Sequence, residues 1–207
     1  MKTSRYLVNR QKFLSQTEID QLLHYCESNA DSDNAFSRTT WPVRYMLVHL
    51  ALRTGLRVHE IAALRIEDIH LNRAERALCV RKGKGGRSRV VYFDSELAEH
   101  VNRFVQLKVV WGQDTTSSAP LLEGRNGRHY TPTALSISFK NAVKAAGLPD
   151  HYSIHCARHT YATHLLAKTN NLRFVQKQLG HASLSMTTLY ADLLPEVNQP
   201  LAELILS

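Results

Sequence analysis

The sequence predicts a mostly helical α+β fold, a single domain over residues 1–207 with a small antiparallel β-hairpin. The prediction rests on where the hydrophobic period lies. Apolar residues recur at helical spacing along most of the chain, and the period drops to two only around residues 77–93. No Pro/Gly/Ser-rich linker, internal repeat or low-complexity tract divides the chain.

The elements follow in order. Ser15 and Glu18 form a capping-box pattern ahead of Ile19, Leu22, Leu23 and Cys26, which share a helix face. Pro42 suits a first helical turn, and Val43, Met46, Leu47 and Leu50 form a stripe that ends near Gly55. A short helix carries Val58, Ile61, Ala62 and Leu64. Ala77–Lys82 and Ser88–Phe93 then read as strands around Lys84-Gly85-Gly86. Helical patterning returns from Ser95 to Val110, Asn126-Gly127 marks a turn, and Thr131-Pro132 opens a helix running to Gly147. Shorter helices are expected at 154–168, 171–179 and 184–191. Beyond Pro195, Val197, Leu201 and Leu204 suggest a terminal helix within 196–207.

Composition narrows the function. A hydrophobic content of 43% and a charged content of 21% fit a soluble globular protein. No apolar run reaches membrane-spanning length, and Met1-Lys2-Thr3-Ser4-Arg5 lacks the apolar core of a signal peptide. Cys26, Cys79 and Cys156 suit neither a disulfide framework nor a zinc spacing, so a reducing, cytoplasmic location is expected. The formal net charge of +8 points to a polyanionic partner. Arg81, Lys82, Lys84, Arg87 and Arg89 fall in one acid-free run, read as DNA-contacting or as the solvated face of a hairpin.

Three helical stretches carry the residues for chemistry. Arg57 follows the helix-ending Gly55 and can project toward an anion, and Arg158 lies one turn after His155. Guanidinium forks match phosphate oxygens and stay charged at any relevant pH. Glu60, three residues after Arg57, can orient it or form an ordinary surface pair. Lys84, between Gly83 and Gly85, can donate a proton to a leaving alkoxide, and Lys82 competes for that role. His155 and His159 are spaced i,i+4, but Cys156 stands where a zinc-protease motif needs glutamate, so no metal site is expected. His181 follows Leu179-Gly180 at a helix end. Tyr190, nine residues later, has a phenol with an ordinary pKa near 10 and needs a cationic surround to act as a nucleophile.

Together these residues resemble the tyrosine recombinase (phage integrase) family. The matching boxes are Thr54-Gly55-Leu56-Arg57 with Glu60, Gly83-Lys84-Gly85, His155-x-x-Arg158-His159, Leu179-Gly180-His181 and Tyr190, in order over roughly residues 10–195. The resemblance implies the tyrosine-recombinase catalytic fold and roles residue by residue. Tyr190 attacks the scissile phosphate to form a 3′-phosphotyrosyl bond, and Arg57 and Arg158 clamp the nonbridging oxygens. Lys84 is the general acid, His155 the general base and His181 a hydrogen-bond donor, with Glu60 and His159 in support. Neither ATP, metal nor other cofactor is needed.

The implied partners are double-stranded DNA carrying a recombination site and further copies of the chain, assembled as a tetramer through residues 196–207 packing in trans. An accessory DNA-bending protein is an optional partner. The chain has no room for the family's N-terminal core-binding domain, so it is similar to the short members such as the fimbrial phase-variation invertases. Ala157 also stands where the family places a larger apolar residue. Two other functions share the fold: a catalytically silent DNA-binding regulator, and a type IB topoisomerase-like enzyme that nicks and reseals one strand.

Overall fold

The computed structural model describes residues 13–72, 75–81 and 88–180. Its helices are α1 (Gln16–Ala35), α2 (Thr40–Thr54), α3 (Val58–Ala62), α4 (Ser95–Val110), α5 (Pro132–Ala145), α6 (Ile154–Thr169) and α7 (Leu172–Leu179). Between α3 and α4 lie β1 (Ile69–Asn72), β2 (Glu75–Val80) and β3 (Arg89–Tyr92), an antiparallel sheet in the order β1-β2-β3. The mostly helical α+β class and the small antiparallel sheet match the expectation from sequence.

α2 organises the core. Val43, Met46, Leu47, Val48, Leu50 and Ala51 are all buried, as are His49 and Leu52, so the helix is enclosed on every side. α1, α4, α5 and α6 pack around it. α1 starts as read: Ser15 Oγ accepts from Glu18 N at 3.3 Å, while Glu18 Oε2 accepts from Ser15 N at 2.8 Å. Ile19, Leu22, Leu23 and Cys26 then face the core. Leu14 is clipped to α6, its N–H donating to Thr160 Oγ1 at 2.8 Å. Ala157 is fully buried in the main cluster.

α7 packs on α6 through a satellite cluster of Ala162, Leu166, Val175 and Leu179. It also touches β3, which brings the sheet edge beside the end of the helical array.

The sheet departs from the expected hairpin in one respect. β1 adds a third strand, with Ile69 opposite Leu78 and Asn72 opposite Glu75. At four residues and largely exposed, Ile-His-Leu-Asn carries too little alternation to signal a strand by itself. β2 and β3 pair in the expected place, with Leu78 opposite Val91 and Val80 opposite Arg89. The Asn126-Gly127 turn is present, with φ of 59° and 71°. The tip of the hairpin, the helix expected at 184–191 and the terminal helix lie outside the described residues.

A buried histidine pair joins α2 to α4. His49 Nδ1 and His100 Nδ1 lie 2.8 Å apart, and the ring centroid of His100 is 4.0 Å from that of Tyr45. One ring donates and the other accepts, which requires the accepting ring to be neutral. Burial, with repulsion from Arg53 and Arg103 that outweighs attraction to Asp94, lowers the His49 pKa to about 4. Burial, His49 and Arg103 lower that of His100 to about 2. Glu96 Oε1 stands 3.8 Å from His49 Nε2 at the exposed rim.

Because both folded pKa values lie below the ordinary 6.5, the unfolded chain takes up protons first as pH falls. The stabilisation is therefore complete above 6.5 and is lost as pH falls from there through about 4 for His49 and on to about 2 for His100. Thermal melts across that range should show a Tm that falls with a slope approaching two protons per molecule. His100→Leu should flatten the slope.

Candidate active site

The site is built where the ends of α2 and α7 meet the starts of α3 and β3. α2 stops at Gly55, whose φ of 60° lets the chain turn sharply into Leu56 and Arg57. Thr54 secures the turn: its hydroxyl donates to Leu50 O at 2.5 Å and accepts from Leu56 N at 3.3 Å. Arg57 is thereby delivered to the N-cap of α3, with its side chain 22% exposed.

Glu60, on α3, is 5% exposed and sits between two arginines. Its Oε2 accepts from Arg57 N at 2.8 Å, and its Oε1 from Arg57 Nη1 at 3.1 Å. The second arginine is Arg89 of β3. Nη1 donates to Oε1 at 2.7 Å and Nη2 to Oε2 at 2.9 Å, a two-pronged pair. Burial by itself would raise the Glu60 pKa. Bonds from Arg89 and from Arg57 N, with the charge of both guanidinium groups, outweigh it and bring the carboxyl down to about 2.

Arg158 of α6 is 8% exposed and serves a different end of the same structure. Nη1 donates to Gly55 O at 2.5 Å and Nη2 to Leu179 O at 2.7 Å. It thus caps the last carbonyls of two helices whose C-termini converge. Arg89 caps the neighbouring carbonyl, its Nε donating to Gln178 O at 3.0 Å. Gln178, 1% exposed, accepts from Tyr92 N through its side-chain oxygen at 3.1 Å. These bonds close a ring: Arg57, Glu60, Arg89, Gln178, Leu179, Arg158, Gly55 and back to Arg57.

Arg57, Glu60 and Arg158 are therefore gathered in one place. His155 is exposed one turn before Arg158 on α6, and His159 is half-buried beside Arg158. Lys84, His181 and Tyr190 lie outside the described residues, as do Lys82 and Arg87. α7 ends at Gly180, immediately before His181.

Of the arginines expected to contact DNA, Arg81 and Arg89 lie within the described residues. Arg89 is committed to Glu60 and Gln178, with a side chain only 12% exposed. Arg81 is exposed, but its Nε bonds Asp68 and its Nη2 lies 3.1 Å from Glu67. The basic run contains no acid of its own, yet the fold brings three to it from other elements. Gln178 was not anticipated at all. It sits on the apolar stripe of Leu172, Val175 and Leu179, and a polar residue on that stripe was the available signal.

Gly180, with φ of 65°, passes so close to Arg89 that a Cβ there would lie 2.7 Å from its Cδ. Gly180→Ala should destabilise the fold by about 1–3 kcal/mol through backbone strain and displacement of Arg89, measurable by urea unfolding. Glu60→Gln should also destabilise the protein at neutral pH. The depressed Glu60 pKa means that its stabilisation is present above the ordinary 4.5 and lost as pH falls to about 2. The gap between the two unfolding curves should therefore close across that interval.

Comparison with known proteins agrees with this architecture. The model of the phage integrase family matches residues 12–196. The tyrosine recombinase XerD of Rickettsia bellii is 31% identical over 194 residues, which cover 88% of this chain and 60% of the relative. The crystal structure of a XerA recombinase superposes with a TM-score of 0.72 at 25% identity, over 91% of this chain and 63% of that one. A XerH site-specific recombinase, crystallised on its difH substrate before cleavage, shares the fold with a TM-score of 0.72 at 22% identity, over 91% and 52% of the two chains. The chain thus spans about 60% of the length of its curated relative. It belongs to the phage integrase family.

Proposed function

We propose that this chain is a tyrosine-type site-specific recombinase that cleaves and rejoins double-stranded DNA. The observation that carries the reading is the closed ring of contacts. It holds Arg57 at the mouth of the site and ties Arg158 to the backbone two residues before it. Two guanidinium groups so placed suit a phosphodiester whose charge grows as a fifth oxygen approaches.

In the proposed reaction the Tyr190 oxygen bonds to the scissile phosphorus and the bond from phosphorus to the 5′-oxygen breaks. The phenolic proton passes to His155, and Lys84 or Lys82 protonates the departing 5′-oxygen. Arg57, Arg158 and His181 hold the nonbridging oxygens, while Glu60 and His159 support them. The phosphotyrosyl ester conserves the bond energy, so another 5′-hydroxyl reverses the step without ATP, metal or cofactor. The protein acts in the cytoplasm as a tetramer on DNA, with Val197, Leu201 and Leu204 packing on a neighbouring copy. Arg81, Lys82 and Arg87 supply phosphate contacts that position the duplex. No helix among the described residues is long and apolar enough to cross a membrane.

Incubation with nicked duplexes tiled from the DNA flanking the gene, followed by a denaturing gel, tests this. Wild type should give a covalent protein–DNA band, and Tyr190→Phe should bind the same duplex and give none. Binding by both proteins with no band from either would favour a catalytically silent regulator. Relaxation of supercoiled plasmid independent of any site would favour a topoisomerase. Deleting residues 196–207 should abolish synapsis, read as loss of the slow multi-duplex complex on a native gel.

A further inference from the structure

We propose that Arg89 is a positioning residue. It occupies the Glu60 carboxylate so that Glu60 cannot close on Arg57, leaving the Arg57 guanidinium open to a phosphate. The same side chain fixes the exit of α7. This inference rests on the recombinase reading for its consequence in catalysis, but its geometry stands apart from it.

The bonds at Glu60 are unequal. Arg89 holds both carboxylate oxygens, at 2.7 and 2.9 Å, whereas the Arg57 side chain touches one of them at 3.1 Å. Arg57 therefore keeps most of its fork free among the described residues, with a side chain 22% exposed. Glu60 is too buried to find another counter-charge in water. If Arg89 were removed, Arg57 would be the remaining cation in contact with it among the described residues. A buried carboxylate left with one partner draws that partner into full pairing, because an uncompensated charge in the interior is costly. Arg57 already bonds Oε1 through Nη1 and Oε2 through its backbone N–H, so a small rotation completes the collapse.

A phosphate-contact role for Arg89 itself fits poorly. Of its five N–H groups, three are spent on Glu60 and Gln178, and Gly180 packs against its Cδ, Nε and Cζ. A side chain locked in this way cannot reach out. It does join β3, α3 and the last turn of α7, which leads through the C-cap Gly180 to His181 in sequence. Lysine could not do the same work, since an ammonium lacks the planar fork that spans both oxygens.

The test separates an electrostatic role from a merely structural one. The ¹⁵Nε–H signal of Arg57, assigned with Arg57→Lys, would be followed during titration with inorganic phosphate. In wild type it should shift on titration. Arg89→Ala should abolish the shift, Arg89→Lys should restore little, and the double variant Arg89→Ala/Glu60→Gln should restore most of it. Should Arg89→Ala fail to fold, Arg89→Gln removes the charge while keeping a donor for Gln178.

In single-turnover cleavage of the nicked duplex, loss of Arg89 should slow adduct formation on the order of 10²–10³-fold, as for one lost preorganised donor. The double variant should recover at least about tenfold, the scale expected of one relieved ion pair. The proposal is overturned if Arg89→Ala responds to phosphate as wild type does. It is equally overturned if the double variant is no better than Arg89→Ala. A wild type that makes no adduct on any duplex would sink the recombinase reading, and the phosphate titration would still decide the role of Arg89.

Discussion

The buried carboxylate of Glu60 is the constraint on which the site depends. An acid at 5% exposure is tolerable only if its charge is answered on the spot. Two arginines and a backbone N–H answer it, and they come from the α2–α3 turn and from β3. Pairing Glu60 therefore pins the sheet to the helical array. From Arg89 the constraint runs on to the last turn of α7, and from there through Leu179 O to Arg158 and the end of α2. Each link satisfies a helix-end carbonyl or a buried charge that would otherwise be orphaned. The same bonds therefore serve folding and fix the relative positions of Arg57, Glu60 and Arg158.

That arrangement explains why four helix and strand ends meet here. Helix C-termini expose carbonyls that attract guanidinium groups, and Gly55 and Gly180 let the chain leave each helix abruptly. Arg158, and Arg89 through its Nε, are then held by backbone acceptors, whose positions are set by the helices. A cation held in this way is preorganised, which is the condition under which it stabilises developing charge most effectively. Behind the site, α2 is enclosed by α1, α4, α5 and α6, which packs the platform carrying Gly55 and Arg57 on all sides.

Much of the fold was legible in the sequence because its signals are local. The capping box of α1, the Gly55 stop, the Ser95–Val110 helix and the Pro132 start each depend on neighbouring residues and a 3.6-residue period. β1 was not legible, because a four-residue exposed strand is recognisable only by its partner β2. The motif residues Arg57, Glu60 and Arg158 were identified as a set, and the fold does bring them together. Arg81 and Arg89 depend on contacts distant in sequence. As a run they looked like free positive charge, yet Asp68, Glu67 and Glu60 reach them from other elements.

The sequence by itself determined the helical class, the boundaries of most helices, the family, and which residue types could serve a phosphodiester. These follow from short-range patterning and from ordered motifs, which need no knowledge of distance. Only the tertiary structure decided which cations stay available and which are consumed internally. That division depends on charges far apart in the chain meeting in a dry interior, where Arg89 makes a bidentate pair with Glu60 and Arg57 makes a single side-chain contact with it at 22% exposure.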